Sequence, residues 1–444
     1  MTSLFFKECK KVLCSITYLI MVAVLILFTY SQLLSDFGEN KMTKPQPGDS
    51  YGTHGMEIPE QIMPNATESL FREFCSNSYI AYPFGFYKNV KLSGKKQNSI
   101  ANVLSELTGE TASKLLASVG TEDAEGLQIN VGDGSGLTQD KSGNYVLEYG
   151  KDTSNDTTSP AIDSVAMKIG LAYERFRELM NEADRIIGGG SQYSGLYLIN
   201  NFGQTAITYE EALNEYNAIL KNDNIIGAYA RLFCDYLGMM MAILPVFLAV
   251  ALCLKDRRAS MYQFIYSRRA SSLKIVSGRF LALLAMTILP LLVFDVIFTH
   301  NVSNMYPGAA FNVLTYFKYT AGWLMPSAMV AIAVGMLLTE LTSSPIAIAV
   351  QGLWWFLDMF TGMREMKGGY GGFVLSPRHN ALGNTQVFVD SFGALAVNRL
   401  FYSGLAILLV GLTVLVYEQN RRGRLNGYHR FKALFSDRMH QYKV

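Results

Sequence analysis

Residues 236–254 read YLGMMMAILPVFLAVALCL, and KDRR follows at 255–258. The first stretch carries no charged side chain, whereas the second carries four. An α-helix crosses the hydrocarbon core of a bilayer with about 20 consecutive apolar residues. This stretch therefore predicts a membrane-spanning helix that ends at a basic boundary. The pattern indicates that the chain is built around the membrane rather than around a water-soluble core.

Five other stretches are similarly apolar, although one of them contains Arg279 near its start and Asp295 near its end, and together they predict six spanning helices. Hydrophobic residues make up 50% of the 444 residues and charged residues only 17%, whereas about a quarter is usual in soluble domains. The fourth and fifth stretches are separated only by a short turn, so we expect a tight helical hairpin there. In chain order the predicted spans are Val12–Leu34, Tyr236–Leu254, Ile275–Thr299, Tyr319–Thr339, Leu341–Leu357 and Leu400–Tyr417.

Charge is divided unevenly along the chain. Residues 35–224 hold 26 acidic and 15 basic residues, a net charge of −11, whereas the remainder has a net charge of +13. Short basic loops stay on the cytoplasmic side of a membrane. The N-terminus, residues 255–279 and the C-terminal tail are all basic, and six spans place all three on one face. We therefore expect a multi-pass protein of the cell membrane with both termini in the cytoplasm.

These patterns give a mainly α-helical fold with three parts. We expect residues 1–34 to contain the first span and residues 35–224 to form a large extracellular α+β domain between spans one and two. Residues 225–444 are expected to hold spans two to six, with a basic cytoplasmic loop at 255–279 and a basic cytoplasmic tail at 418–444.

Within the extracellular domain, apolar spacing predicts helices over Asn98–Leu116, interrupted at Gly109, and over Ala161–Ile187. Thr208-Tyr209-Glu210-Glu211 is a capping box that opens a third helix. Few helix breakers follow before Leu237, so this helix is expected to continue into the second span. A continuous helix would tie movement of the extracellular domain to that span.

The sequence contains no motif for catalysis, nucleotide binding or metal binding. It has no phosphate-binding Walker loop, no Gly-x-Ser-x-Gly elbow, no His-Glu-x-x-His and no Gly-x-Gly-x-x-Gly before a helix. The five histidines are scattered, and no pair of Cys or His has zinc-ligand spacing. We therefore expect no catalytic residue, no bound cofactor and no metal, and nothing in the sequence indicates nucleic-acid binding.

Charged residues near the predicted span ends have two interpretations. Burying a charge in a membrane costs about 3 kcal/mol on insertion scales, so these side chains should reach towards the interface. The residues concerned are Asp235, Asp295, Glu340, Asp358 and Arg364. Alternatively, Asp295 or Asp358 lines a translocation path. Trp323 and the pair Trp354-Trp355 fit an interfacial belt or helix packing.

The basic segment 255–279 carries seven Lys and Arg residues with aromatic and aliphatic residues between them. A short amphipathic helix at the cytoplasmic surface would present these apolar groups to a partner and the bases to lipid phosphates. The residues alone do not separate this interpretation from a membrane-surface helix without a partner. The candidate contact residues are Arg258, Met261, Tyr262, Phe264, Ile265 and Tyr266.

Several stretches together resemble the permeases of ABC-2 type exporters, and the chain's ending is similar to that of Gram-positive members. The resemblance covers about half of the chain, and it rests on the order and spacing of the motifs. The stretches are Leu254–Arg258 through Ser267–Arg269, Leu273–Phe280, Val334–Leu338 to Ser344, Trp354-Trp355, Pro377–Asn380, Asn398–Tyr402 and Glu418–Gly423.

The resemblance implies an architecture and partners. Such permeases have six helices per subunit, an interfacial helix before the first span (here Thr2–Lys11) and a partly re-entrant stretch between the last two (here within Asp358–Arg399). Two permease subunits, identical or paralogous, pair in the lipid membrane, and each docks a separate ATPase that binds the ATP. A coupling helix, here Arg258–Tyr266, passes the movement of the ATPase to the spans.

The expected function is therefore that of a permease subunit without ATPase motifs of its own. The substrate is left open between a peptide or antibiotic and a lipid-like molecule, and the acidic extracellular domain would attract a cationic peptide. Too few acids lie within the spans to favour sodium export. The alternative is a membrane-anchored sensor or scaffold whose extracellular domain binds a ligand.

Overall fold

The computed structural model describes residues 2–35, 41–83, 87–119, 137–139, 145–147, 168, 170–258, 266, 270–307, 312–363, 370–379 and 381–423. The described chain is mainly helical and divides into two compact units. One unit, here called the bundle, comprises residues 1–49 and 208–444. The other, here called the inserted unit, comprises residues 50–207.

The bundle is built from long apolar helices joined by short segments. Three π-helical turns occur in it, at Tyr30–Leu34, Ile219–Asp223 and Thr320–Leu324. The α-helices are α1 (Thr2–Leu13), α2 (Ile16–Thr29), α8 (Tyr209–Ala218), α9 (Ile226–Met241), α10 (Leu244–Arg258), α11 (Ser272–Met305), α12 (Thr315–Tyr319), α13 (Met325–Thr342), α14 (Ile346–Met363) and α15 (Thr385–Arg421).

Five helical stretches of the described chain are long and apolar enough to cross a membrane, so the protein is a membrane protein. They are Ile16–Leu34, Ile226–Lys255, Ser272–Met305, Thr315–Thr342 and Thr385–Arg421. The predicted span Leu341–Leu357 corresponds to a shorter apolar helical stretch, Ile346–Met359. The last span begins fifteen residues before the predicted Leu400, at Thr385. Five spans are thus supported, and the sixth stays a prediction.

The predicted continuous helix from Thr208 into the second span is wrong. The capping box at Thr208 is present and opens α8, which passes into the π-helical turn Ile219–Asp223. Asn224 and Ile225 then adopt positive φ angles of 49° and 60°, and α9 begins anew at Ile226. A left-handed residue ends the helical hydrogen-bond ladder, so α8 and α9 are separate helices.

The core of the bundle contains residues from all five candidate spans. The helical hairpin between α13 and α14 turns at Ser343, which adopts a φ of 57°, just before Pro345. Helix α13 approaches α10 very closely at Gly335, because a Cβ atom there would lie 2.7 Å from the Cβ of Ala249. Small residues allow such close packing of membrane helices.

The inserted unit combines five helices with three two-stranded antiparallel pairs, β1–β6, β2–β3 and β4–β5. In chain order its elements are β1 (Thr53–Gly55), α3 (Pro59–Ser76), β2 (Tyr79–Ala81), β3 (Lys88–Val90), α4 (Gly94–Thr108), α5 (Ala112–Ala117), β4 (Leu137–Gln139), β5 (Tyr145–Leu147), α6 (Tyr173–Ile187), α7 (Gly195–Phe202) and β6 (Gln204–Ala206).

Apolar residues of α3, α4 and α6 form the core of the inserted unit. The predicted interruption at Gly109 is present, since Gly109 ends α4 with a φ of 80°. The helix predicted over Ala161–Ile187 instead begins at Tyr173, because Gly170 adopts a φ of 88° and does not continue a helix. Residues 161–167 lie outside the described chain.

Glu73 on α3 is a half-buried acid in the inserted unit. Its carboxylate accepts hydrogen bonds from the Tyr193 hydroxyl (2.7 Å), the backbone N–H of Ile80 (3.1 Å) and the Gln192 side chain (3.3 Å). Burial raises the pKa of the Glu73 carboxyl from 4.5 to about 7, although these donors act in the opposite direction. A raised pKa means that folding favours the protonated carboxyl.

The inserted unit should therefore lose stability as the pH rises from about 4.5 to about 7. The folded state binds more protons than the unfolded state in this window, so the free energy of unfolding should fall by about 2 kcal/mol after a discount for partial exposure. Glu73→Gln should flatten this pH dependence. The measurement is amide hydrogen exchange of α3 and α6, corrected for intrinsic rates, in the full-length protein.

Glu68→Gln is the matched control, because Glu68 lies on the same helix but is exposed and pairs with Arg72. It should keep the wild-type pH dependence. Equal slopes in wild type and Glu73→Gln would show that Glu73 does not titrate in this range.

Candidate functional site

Between α14 and α15, the described residues 370–379 and 381–384 are non-helical and are here called the buried loop. Tyr370, Leu375, Ser376 and His379 in this loop are almost inaccessible to solvent. Non-helical backbone at membrane depth must bond to protein or to water in a cavity. The hydrogen-bond partners of the loop's N–H and C=O groups therefore show which helices hold it in place.

Arg399 of α15 satisfies carbonyl groups of the first half of the loop. Its side chain is only 5% exposed, and its guanidinium donates to the carbonyls of Val374 (3.2 Å) and Leu375 (3.0 Å). It also donates to the Trp323 carbonyl (3.1 Å). The neighbouring Asn398 amide donates to the carbonyls of Gly372 and Val374 at 3.0 Å each. Asn398 and Arg399, which are adjacent on α15, thus donate the hydrogen bonds that these carbonyl groups would receive from backbone N–H groups in a helix or sheet.

Asp358 of α14 satisfies the N–H groups of the same stretch. Its two carboxylate oxygens accept from the backbone N–H of Leu375 (2.6 Å) and of Ser376 (2.9 Å). From α13, the Ser327 hydroxyl donates to the Leu375 carbonyl at 2.7 Å. The loop is therefore fixed between α13, α14 and α15 by side chains that match its backbone polarity.

The second half of the loop is held by α9. Asp235 accepts from the backbone N–H of His379 (2.5 Å) and from the Arg378 guanidinium (2.8 Å). Arg231, with 0% exposure, pairs with Asp223 at 2.6 Å and donates to the Leu382 carbonyl at 2.7 Å. These contacts join α9 to the loop.

The start of α15 is joined to the same network. The Thr385 hydroxyl donates to Asp223 at 2.9 Å, and its N–H donates to Glu215 of α8 at 3.0 Å. The guanidinium of Arg231 lies 5.0 Å from the ring centre of Phe388, a cation–π distance. The break at Asn224 thus lies between two residues, Glu215 and Arg231, that both contact this region.

Three buried acids and three arginines balance one another around the loop: Asp223, Asp235 and Asp358 with Arg231, Arg378 and Arg399. Each carboxylate accepts hydrogen bonds and each guanidinium donates them, so no net charge accumulates. Breaking one member of such a buried set leaves an uncompensated charge and costs about 3–5 kcal/mol. The network therefore fixes one arrangement of α9, α13, α14 and α15.

The interface interpretation of the acidic residues is wrong for Asp235, Asp295, Glu340 and Asp358. Each is nearly or fully buried inside the bundle, because a side chain that bonds to protein groups need not reach water. Of the two candidate path residues, Asp358 belongs to the buried loop network and Asp295 does not. Arg364 lies outside the described residues.

Trp323 and Trp355 pack between helices, which agrees with the helix-packing interpretation of the tryptophans. Trp323 is buried and donates from Nε1 to the Pro377 carbonyl at 3.3 Å, and Trp355 donates to the Met239 carbonyl at 2.9 Å.

The sequence pattern does not indicate that Arg231 and Arg399 are buried. Arg231 precedes the uncharged stretch 236–254 and Arg399 precedes the predicted last span, so the predicted bounds leave both outside the membrane helices. The only sequence signal for these two residues is an arginine next to a run of aromatic and small residues. Such a pattern does not indicate whether the arginine is buried.

The second region of interest is the basic segment 255–279. Of its six candidate contact residues, Met261, Tyr262, Phe264 and Ile265 lie outside the described chain, and Arg258 is described only as the end of α10. The ring of Tyr266 packs edge-on against Tyr417 of α15, with 5.3 Å between centroids.

Arg421 anchors the same segment to α15. Its guanidinium donates to the carbonyls of Tyr266 and Ala270, both at 2.8 Å. Next to it, the Ser272 hydroxyl donates to Glu418. Tyr266, Ala270 and Ser272 of the basic segment are therefore tied to the last turns of α15, at the point where α11 begins.

The N-terminal helix α1 packs against α11 at this end of the bundle. A Cβ atom added at Gly278 of α11 would lie 3.3 Å from the side chain of Leu4 of α1. Arg279 lies between Glu8 of α1 (3.9 Å) and Glu340 of α13 (4.0 Å). Asn420 of α15 donates to the Glu340 carbonyl at 3.0 Å. Four helices thus meet beside the anchored segment.

No family model, no curated protein and no solved structure matches this chain. Within the part of the chain that the structure describes, no group of three His, Cys, Asp or Glu side chains is placed to hold a metal ion. Its function is therefore inferred from its own residues and their contacts.

Arg399→Met should destabilise the bundle by about 3 kcal/mol, because the carbonyls of Val374 and Leu375 lose their charged donor. All three tryptophans lie in the bundle, so tryptophan fluorescence during unfolding in mild detergent reports on it. Arg422→Met is the control, since the Arg422 side chain is 57% exposed and pairs only with the neighbouring Glu418 among the described contacts. Equal unfolding midpoints for the two variants would contradict the role given to Arg399.

Proposed function

We propose that this chain is the permease subunit of an ATP-driven exporter, working with a separate ATPase subunit and a second permease subunit in the cell membrane. The observation that carries the proposal is the basic segment 255–279 and its anchoring to α15 and α11. This segment resembles the coupling loop of ABC-2 type permeases, and its last described residues are tied to two long apolar helices.

The contacts support a route for mechanical coupling. Force applied to the segment would pass through the carbonyls of Tyr266 and Ala270 to Arg421, and hence to α15. The same helix carries Arg399, which holds the buried loop. A displacement of α15 would therefore change the packing of the loop against α9, α13 and α14.

The chain would supply the pathway and its partner the energy. Its sequence has no Walker loop, so ATP would bind to the partner subunit and this chain would carry no enzymatic activity of its own. The substrate would move outward, or out of the bilayer, as the bundle changes packing. A peptide, an antibiotic or a lipid-like molecule fits the proposal, and the acidic charge of residues 35–224 favours a cationic one.

Both termini and residues 255–279 are proposed to be cytoplasmic, with the inserted unit outside. Lys274→Cys and Ser113→Cys, each in a background with the five native cysteines replaced by serine, test this orientation. Both positions are exposed to solvent. In intact cells a membrane-impermeant maleimide should label the cysteine at position 113 and spare the one at position 274, and permeabilisation should allow labelling of both. Labelling at position 274 in intact cells would reject the orientation and the exporter.

Copurification tests the partner directly. The chain is purified from its native membranes in mild detergent, and every accompanying subunit is identified by mass spectrometry. We expect an ATP-hydrolysing subunit and a second permease. A complex without any nucleotide hydrolase would reject the exporter and favour the sensor or scaffold.

Arg421→Gln should reduce copurified ATPase roughly tenfold, equivalent to about 1.4 kcal/mol of binding free energy. The reason is that the basic segment would lose its anchor to α15. Arg422→Gln removes the same charge one residue later and leaves the two carbonyl contacts of Arg421 intact, so it should retain wild-type amounts. Equal losses in both variants would attribute the effect to charge alone and contradict the anchoring role.

A further inference from the structure

Asp295 lies deep within α11, a 34-residue apolar helix. Its side chain has 0% exposure. The helix continues for ten residues beyond it, to Met305, so the side chain does not lie at a helix end. Asp295 is therefore a buried acid in the interior of a long apolar helix, ten residues before its end.

Only one of the two carboxyl oxygens of Asp295 is bonded. Oδ1 accepts from the hydroxyl of Thr320 at 2.8 Å. Oδ2 is buried and has no hydrogen-bond partner among the described residues. No ion pair joins Asp295 to a lysine or arginine in the described part of the chain.

The titratable neighbours of Asp295 do not supply a positive charge. Cys234 of α9 and Tyr316 of α12 are close enough to interact with it electrostatically, and the Tyr316 hydroxyl is itself buried without a hydrogen-bond partner in the described chain. Asp235, also near Cys234, is paired with Arg378. Arg279 of the same helix is sixteen residues away, about 24 Å along the axis.

Asp358 shows which partners another buried carboxyl group has in this bundle. Two backbone N–H groups donate to it, one to each oxygen, and Arg399 interacts with it electrostatically. Among the described residues, Asp295 has one hydroxyl donor and no paired cation. An unpaired buried carboxylate costs several kcal/mol or more, and such a group neutralises instead. The charged form of Asp295 therefore has fewer stabilising contacts than that of Asp358.

We propose that Asp295 is a proton-binding site of the bundle. In the packed state Oδ2 carries a proton. When α11 and the segment bearing Thr320 separate, water reaches Oδ2, the O–H bond breaks, the proton passes to water and the electron pair stays on the carboxylate.

Thr320, the hydrogen-bond partner of Asp295, lies where the regular α-helical hydrogen-bond pattern is interrupted. Thr320 is the first residue of the π-helical turn Thr320–Leu324, which joins α12 to α13. Single π-helical turns within helices occur frequently at functional sites. Gly322 in this turn has open space where a Cβ atom would lie.

The proposal stands apart from the exporter function, because it requires neither an ATPase nor a transported substrate. It would hold equally for a sensor whose bundle changes packing with pH. Failure of the copurification test leaves it intact, and its own failure leaves the exporter proposal intact.

Infrared spectroscopy of the purified full-length protein tests the protonation state. The comparison uses a Glu73→Gln background, because the Glu73 carboxyl has a pKa of about 7 and would contribute a protonated band of its own. In that background at pH 7, the otherwise unchanged protein should show the carbonyl stretch of a protonated carboxylic acid that is protected from solvent. Asp295→Asn should abolish that component, and the matched variant Asp358→Asn should retain it. Retention of the band in Asp295→Asn, or its loss in Asp358→Asn alone, would overturn the assignment.

Unfolding in detergent, followed by tryptophan fluorescence, gives a second readout. Asp295→Asn preserves the shape of a neutral acid and should leave the midpoint at pH 7 unchanged, whereas Asp358→Asn should lower it. A carboxyl that is neutral when packed ionises on unfolding, so wild-type stability should fall as the pH rises and Asp295→Asn should remove that component. A midpoint lowered equally by both substitutions would overturn the proposal.

Sodium binding is the competing occupancy. Replacing potassium by sodium at constant ionic strength should not shift the wild-type midpoint. A sodium-specific increase that Asp295→Asn abolishes would show that the site holds a metal cation instead of a proton.

Discussion

Backbone N–H and C=O groups inside a membrane bundle cannot bond to bulk water, so each needs a partner in the protein. The buried loop between α14 and α15 meets this constraint with side chains. Arg399 and Asn398 supply donors to its carbonyls, and Asp358 supplies acceptors for its N–H groups. The geometry of four helices follows, because α9, α13, α14 and α15 must all stay within hydrogen-bond distance of one non-helical segment.

The charges of the bundle are arranged in two regions with different physical roles. Around the buried loop, acids and arginines pair and bind backbone groups, which fixes one packing. At the other region, Arg279 lies about 4 Å from both Glu8 and Glu340, and Arg421 holds the basic segment through carbonyl oxygens. Helix α15 runs through both regions, since it carries Arg399 and Arg421. A rigid helix that contacts both is a physical means of linking them.

Asp295 differs from Asp223, Asp235 and Asp358, the buried acids around the loop. Burial without a cation or a second donor makes its charged form unfavourable, and the neighbouring π-helical turn gives the contact a place to open. The inserted unit repeats the same theme with Glu73, whose burial outweighs three hydrogen-bond donors. In each unit, an acidic side chain with little access to solvent has too few hydrogen-bond and charge partners to stabilise its charged form. A change in its protonation would therefore alter the packing around it.

Composition and apolar run length determined the class of the protein and most helix positions, because both depend on local hydrophobicity. The capping box at Thr208 and the stop at Gly109 were equally readable, since each acts within one helical turn. The break at Asn224–Ile225 and the roles of Arg231, Asp358 and Arg399 were not. Those depend on which distant backbone groups lie opposite each side chain, and that pairing exists only once residues 17 or more positions apart are packed together. Tertiary structure therefore decided which charges are buried, since burial is a property of neighbours rather than of sequence position.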